Sequence, residues 1–485
     1  MDPTDKRKSG GARGGKARNI NPMTNCGKSG SVLIFLLTLG SVPLAIPAWA
    51  ADNPAPLASN ATNSANTLTG SAATEPAWNW HVQNTGIGTF HPGFKAPYAG
   101  PNSLYEGTDW QETVSLDLLV GVRLWHGAEF HVDGMMWQGF GFSKTVGIEG
   151  FPNAEAFRVG TRIPNVDFTR MFIRQSFDLG GETVKIADDA LHLARQRDAS
   201  NLTLTLGKFS AKDIFDNNAY ANDARGQFMS WSLVANEAWD YPADSLGYTT
   251  GLAAELNQPD WAVRYGFFQV PRVSNGLAED TRYLDAWGMV AEFERRYSLA
   301  SHPGAVRLLA FLNRSHMGVY QAVIDNPGLP ANDALALTRD YRFKYGFGLN
   351  LEQELAPDLG AFARLGWSDG KSEAWMFADV DHALALGVSA KGSRWGRPND
   401  TLGLAGAANG ITRVHQNFLA AGGTGILAGD GRLTYGIEEL LECYYDFQFH
   451  EGIHFALDYQ FVTNPAFNRD RGPVSIFSAR LHWEF

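Results

Sequence analysis

The 485-residue sequence predicts an all-β chain: a transmembrane antiparallel β-barrel of about 16 strands, with a loop and short-helix insertion folded into the lumen. Three observations carry this expectation. Beyond the first fifty residues, apolar and polar side chains alternate in run after run. Aromatic residues gather at the ends of those runs, and the last run closes on a terminal phenylalanine, Phe485.

Composition narrows the choice first. A hydrophobic fraction of 44% with 19% charged residues excludes a disordered chain. Two cysteines exclude a disulfide scaffold and any Cys-rich metal site. Fifty-one acidic against 40 basic residues argue against nucleic acid as a partner, because phosphate binding needs a basic surface. The 52 glycines and 59 aromatic residues, with few apolar runs, point toward many strands and turns rather than helices.

The first fifty residues read as a signal peptide. Lys6, Arg7, Lys8, Arg13, Lys16, Arg18 and Lys28 precede the apolar run 32–39, and Ala48-Trp49-Ala50 forms a small-x-small cleavage site before Ala51. The run is too short for the ~20 apolar residues of a spanning helix, and Pro43 and Pro47 follow it closely. Cleavage removes seven basic and two acidic residues, which moves the formal charge from −11 to −16. Residues 51–76 are mostly Ala, Asn, Ser, Thr and Pro, and are expected to form a flexible periplasmic leader to a barrel domain over 77–485.

In 113–124 the even positions are Val114, Leu116, Leu118, Val120, Val122 and Leu124, while the odd positions include Thr113, Ser115, Asp117, Gly121 and Arg123. The same period of two runs through 201–206, 261–267, 345–351, 361–367 and 453–461. Alternation alone fits a soluble sandwich or a lipid-facing barrel. Trp125, Trp261, Trp287, Tyr345, Trp367 and Tyr459 stand at run ends, where a membrane-water boundary wants them and a sandwich core does not. Counting back from Phe485 by twos gives Trp483, Leu481, Ala479 and Phe477, an alternating last strand of the kind expected to engage the barrel-assembly machinery. Strands 439–449 and 453–462 join through the tight turn His450-Glu451-Gly452. A long connection, 463–473, leads to the last strand, so short turns and long loops alternate.

Residues 213–248 break the period. Phe228, Trp231, Leu233 and Ala235 fit short helical turns, and their apolar content favours burial within the barrel wall over an external cap.

Several segments in order resemble the carbohydrate-selective porin family of Gram-negative outer membranes: 201–209 leading into 213–216, 218–225, 238–244, 345–354, 395–400, 429–436 and 464–473. The resemblance covers about residues 80–485. It implies a 16-stranded barrel that passes glucose and other small sugars by diffusion, without enzymatic activity and with no cofactor. The alternative is an outer-membrane barrel with a general-diffusion, export, enzymatic or structural role. The partners expected are small sugars, outer-membrane lipid and the assembly machinery acting on Phe485, with a homo-oligomer left open.

Parity nominates the lumen residues. Phe130, Val132 and Met136 share the apolar face of their strand, which turns Glu129, His131, Asp133 and Trp137 inward. Arg170 and Arg174 alternate against Met171 and Ile173, Arg264 against Val263 and Tyr265, and Arg364 against Ala363 and Leu365. An Arg or Lys facing lipid at mid-depth costs ~2–4 kcal/mol, so the arginines belong inside. Sugars offer hydroxyls that donate and accept, and C–H faces that pack on rings. The expected constriction therefore joins Arg170, Arg174, Glu129 and Asp133 to an indole, Trp231, from the insertion.

Two strings mislead. His450-Glu451-Gly452-Ile453-His454 spells a zinc-protease motif, but that chemistry needs both imidazoles on one helix face, and strands flank this string. The glycines of 423–429 lack the strand–turn–helix unit of a dinucleotide loop, and no metal site is expected.

Overall fold

The computed structural model describes residues 75–377 and 379–485. The expected signal peptide, and the leader up to residue 74, lie outside the described residues. The wall begins with β1 (Trp78–His91), β2 (Asp109–Trp125), β3 (Ala128–Gly139) and β4 (Thr161–Asp178). A small hairpin follows, β5 (Thr183–Ile186) and β6 (Arg195–Asp198). The wall resumes with β7 (Asn201–Phe209), β8 (Thr249–Asn257), β9 (Trp261–Phe268), β10 (Trp287–Leu299), β11 (His302–Met317) and β12 (Asp340–Ala356). It ends with β13 (Leu359–Ser368), β14 (His382–Gly392), β15 (Arg397–Gly410), β16 (Glu438–His450), β17 (Ile453–Thr463) and β18 (Val474–Glu484).

All strands except β5 and β6 form one closed 16-stranded antiparallel barrel. The seam joins β1 to β18 from Gln83↔Glu484 to Phe90↔Phe477. Phe485 extends it, exchanging backbone hydrogen bonds with Val82 at 3.0 and 2.9 Å. Closure matters because an open edge of N–H and C=O groups has no partner in lipid.

The expected alternation is the actual in-out period. Leu118, Phe347 and Leu457 point outward and are more than half exposed, while Asp117, Asn350 and Asp458 on the same strands are buried inside. Outward Trp80 and Trp125 ring one end of the apolar band, and Trp110, Trp287 and Trp367 the other. Among the described residues no helix is long and apolar enough to cross a membrane; the strands do the crossing.

The expected alternation of connections has one exception. Turns 126–127, 258–260, 300–301, 357–358, 393–396 and 451–452 are short at one end, but the connection 179–200 at that same end carries β5 and β6. It is long because it is held from within: Leu193 N–H donates to Glu129 at 3.2 Å, and Arg174 donates to the Leu191 carbonyl at 2.5 Å. His450 and His454 sit on two strands across a tight turn, and His454 Nδ1 pairs with Asp446 instead, at 2.5 Å.

Candidate functional site

The long connection 210–248 lies inside the barrel, with Phe215, Phe228, Leu233 and Trp239 buried. Its regular structure is a 3-10 turn, Ala211–Asp213, and one helical turn, Trp231–Val234. Irregular backbone at membrane depth must find partners within protein. Inward carboxylates of the wall supply them. Glu292 accepts from Asp216 N–H at 2.8 Å, Glu352 from Ala219 N–H at 2.7 Å, and Glu442 from Met229 and Ser230 N–H at 2.5 and 2.9 Å. Arg480 donates to the Ala224 and Gln227 carbonyls at 2.6 and 2.7 Å, and Arg364 to the Leu233 carbonyl at 2.7 Å.

Two wall glycines permit the close approach. A Cβ at Gly366 would stand 2.1 Å from the Asn236 carboxamide oxygen, and one at Gly360 would stand 1.9 Å from the Tyr220 ring. Asp216 is the hub of the insertion. It accepts from Arg364 at 3.1 Å, from Asn350 at 2.7 Å and from Lys212 at 3.2 Å. Burial alone would raise its pKa, but Arg364 and Lys212 hold it down to about 2. Burial in turn pushes Lys212 down to about 8, against the pull of Asp216.

The residues nominated from sequence fall into separate groups. Arg170 bonds Asp133 at 2.7 Å and grips Asp213, the first turn of the insertion, through two bonds at 2.8 Å. A bulge at Thr169 turns that residue inward too, and its hydroxyl donates to Asp133 at 2.8 Å. Arg174 and Glu129 pair at 3.3 Å, and His131 stacks on Phe172 at 5.1 Å with its Nε2 3.6 Å from Glu129. This second group holds the 179–200 hairpin. Arg264 is farther round the wall, paired with Glu255, Glu292 and Glu294 at 3.2, 2.8 and 3.0 Å.

Trp231 packs elsewhere. It is 9% exposed, and its ring stacks on Phe151 at 5.4 Å and Tyr241 at 5.9 Å, with Phe377 at 5.7 Å. These rings come from loops 140–160, 210–248 and 369–381, so the cluster ties three loops together. Trp231 makes none of its ring contacts with the arginine groups.

Space remains on both sides of the insertion. Toward the long loops lies a cavity of about 360 Å³ bordered by Trp137, Arg158, Ser245 and Leu246. Toward the short turns lies one of about 430 Å³ bordered by Arg170, Tyr220, Gln227, Lys391 and Tyr444. Between them stands Tyr248, buried, with Arg158 at 5.6 Å and Arg170 at 5.0 Å from its ring centroid. Beside it Arg225 bonds Asp117 and, at 3.0 Å, Glu155. Burial would raise the Glu155 pKa, but Arg225 and Arg158 bring it down to about 2. Sequence reasoning missed Arg158, Tyr248 and Arg225, which sit on loops without a period to reveal them. It missed Glu292, Glu352 and Glu442 as insertion clamps, although their inward parity was readable.

The model of the carbohydrate-selective porin family, OprB, matches residues 102–485. Among solved structures, the high-pH form of Pseudomonas putida OprB superposes with a TM-score of 0.63 at 17% identity, covering 84% of this chain and 94% of that one. Its low-pH form gives 0.46 at 13% identity over 84% and 93% of the two chains. The outer membrane channel DcaP of Acinetobacter baumannii gives 0.45 at 8% identity over 84% and 97%. No curated protein matches significantly. A family match over most of the chain, on a closed barrel whose lumen holds an insertion and cavities, makes this chain a member of the OprB family of carbohydrate-selective porins, channels of the Gram-negative outer membrane.

Proposed function

We propose that small sugars cross this barrel by diffusion past the group Arg158, Tyr248 and Arg170. One observation carries the reading: two guanidinium groups lie on one tyrosine ring, with a cavity on either side, one bordered by Arg158 and the other by Arg170. Guanidinium N–H groups donate to sugar hydroxyls, and a carboxylate such as Asp213 accepts from them. Because each arginine is already paired or stacked, a sugar gains only bonds it can exchange. Binding stays weak enough for release, as conduction requires.

In this reading Arg170 lines the path directly, and buried Asp133 holds it in place. Glu129, His131 and Arg174 shape it by holding the 179–200 hairpin, Arg264 borders the lumen on the β9 side, and Trp231 braces the loops. The short-turn end faces the periplasm, with the signal peptide removed before the strands insert through the alternating end at Phe485. The activity is transport, not catalysis. Liposomes carrying the purified protein should swell with glucose and disaccharides faster than with amino acids of similar size. Equal rates would make this a general-diffusion pore, and no swelling with any sugar would favour an export or structural role.

A further inference from the structure

Between the 179–200 hairpin and the wall strands β8–β11, a third, smaller cavity of about 110 Å³ opens toward the short-turn end. Its carboxylates are all engaged. Asp213 is held by Arg170, Glu294 by Arg264, Arg296 and Arg307, and Glu255 by Arg264. Arg197 on β6 lines the same cavity and has been left out: among the described residues its side chain makes no hydrogen bond or ion pair, and its Nε is buried without a partner. Its neighbour Arg195 donates, among the described residues, to Ser176 and the Gly127 carbonyl and to no carboxylate. Burial, with the charge of Arg195 beside it, pushes the Arg197 pKa down to about 10, against the pull of Glu255.

A guanidinium presents a planar fork of donors that matches the two oxygens of a carboxylate or phosphate. Half-burying that fork with no carboxylate bonded to it, the nearby ones being held by other arginines, is costly unless an anion comes to it. We propose that Arg197 forms an oxyanion site at the short-turn mouth, taking the carboxylate or phosphate of a charged sugar, so that the channel carries acidic as well as neutral sugars. The inference rests on the sugar-channel reading. Asn257 and Thr203, also at the cavity, are the neutral partners for the sugar hydroxyls.

Uptake of glucose, glucuronate and glucose 6-phosphate into liposomes holding the mature protein tests this. Arg197→Gln should cut the flux of at least one charged sugar by about fivefold, the order expected for one charge-assisted bond in a watery channel. Glucose flux should stay unchanged. Which charged sugar responds separates a carboxylate from a phosphate site. Unchanged flux of both charged sugars, or a parallel loss for glucose, overturns the proposal. If the variant fails to assemble, the wild-type protein decides: its preference for charged over neutral sugar should fall as salt rises, and a salt-independent ratio overturns the site. A wild-type protein that carries no glucose would instead refute the sugar channel itself.

Discussion

Along β12 the environment changes at every residue. Phe343, Tyr345 and Phe347 face outward, while Lys344, Gly346, Gly348 and Asn350 face in. Along 210–248 no such period exists: buried Phe215 is followed by buried Asp216, and buried Trp239 by buried Asp240. The wall is organised by two solvents, lipid outside and a polar interior, so its pattern follows from strand geometry alone. The insertion lies inside, and many of its residues are placed by specific partners on the wall, on a neighbouring loop or within the insertion itself. The inward face of the wall thus serves the insertion before it serves any solute. Glu292, Glu352, Glu442, Arg364 and Arg480 spend their hydrogen bonds on insertion backbone.

The strongest way to break this contrast is to remove the insertion. Replacing 216–237 by a short Gly-Ser linker should leave a heat-modifiable barrel, since the wall ladders do not depend on the insertion. Single-channel conductance should rise several-fold, because a 16-stranded barrel without filling leaves an aqueous channel. Unchanged conductance would mean that the solute path does not run past this segment.

Arg170 and Arg174 sharpen the comparison one residue at a time. Arg170→Ala strands Asp133 and Asp213 and frees the base of the insertion, so conductance should rise and anion preference and sugar block should fall. Breaking a fully buried pair costs ~3–5 kcal/mol, and less here because Arg170 is partly open to the cavity. Arg174→Ala should act on the 179–200 hairpin and leave sugar block nearly intact. Identical electrical phenotypes for the two variants would merge the two groups into one constriction.

Glu442→Ala leaves two buried N–H groups of the insertion unpartnered, at about 1–3 kcal/mol each. Open-channel noise should grow and the insertion should become sensitive to added protease, while the barrel keeps its gel mobility. Quiet channels in this variant would show that the clamp is dispensable.

Trp231→Ala opens a hole in the aromatic cluster, a change worth about 3–5 kcal/mol of local packing. The temperature at which sugar selectivity is lost should drop, with block below that temperature little altered. Weaker block with unchanged thermal behaviour would place the indole in contact with sugar.

The smallest effect is one of pH. Lys212 titrates near 8 in the folded insertion and near 10.5 unfolded, so the unfolded state binds the extra proton between these values. Stability of the insertion should therefore rise modestly from pH 8 toward 10.5, and Lys212→Met should abolish that rise. Asp216 works at the other end of the scale: its contribution is present above pH 3.8 and is lost as pH falls toward 2. Melting followed across both windows checks the two signs.

The sequence by itself determined the wall. A strand has a period of two, lipid tolerates no charge, and headgroups attract Trp and Tyr, so the faces of β2, β3, β12 and β18 were readable without coordinates. The inward parity of Glu129, Asp133, Arg170, Arg174 and Arg264 was readable for the same reason. Which of them meet was not. Arg170 pairs with Asp133, Arg174 with Glu129 and Arg264 with three glutamates because of register and a bulge at Thr169, which sequence spacing does not encode. Trp231 could be placed in the insertion but not in its cluster with Phe151, Tyr241 and Phe377, and Tyr248 became visible only when two loops and a strand closed around it. Such contacts join residues tens of positions apart across a closed barrel, and closure is a property of all sixteen strands at once.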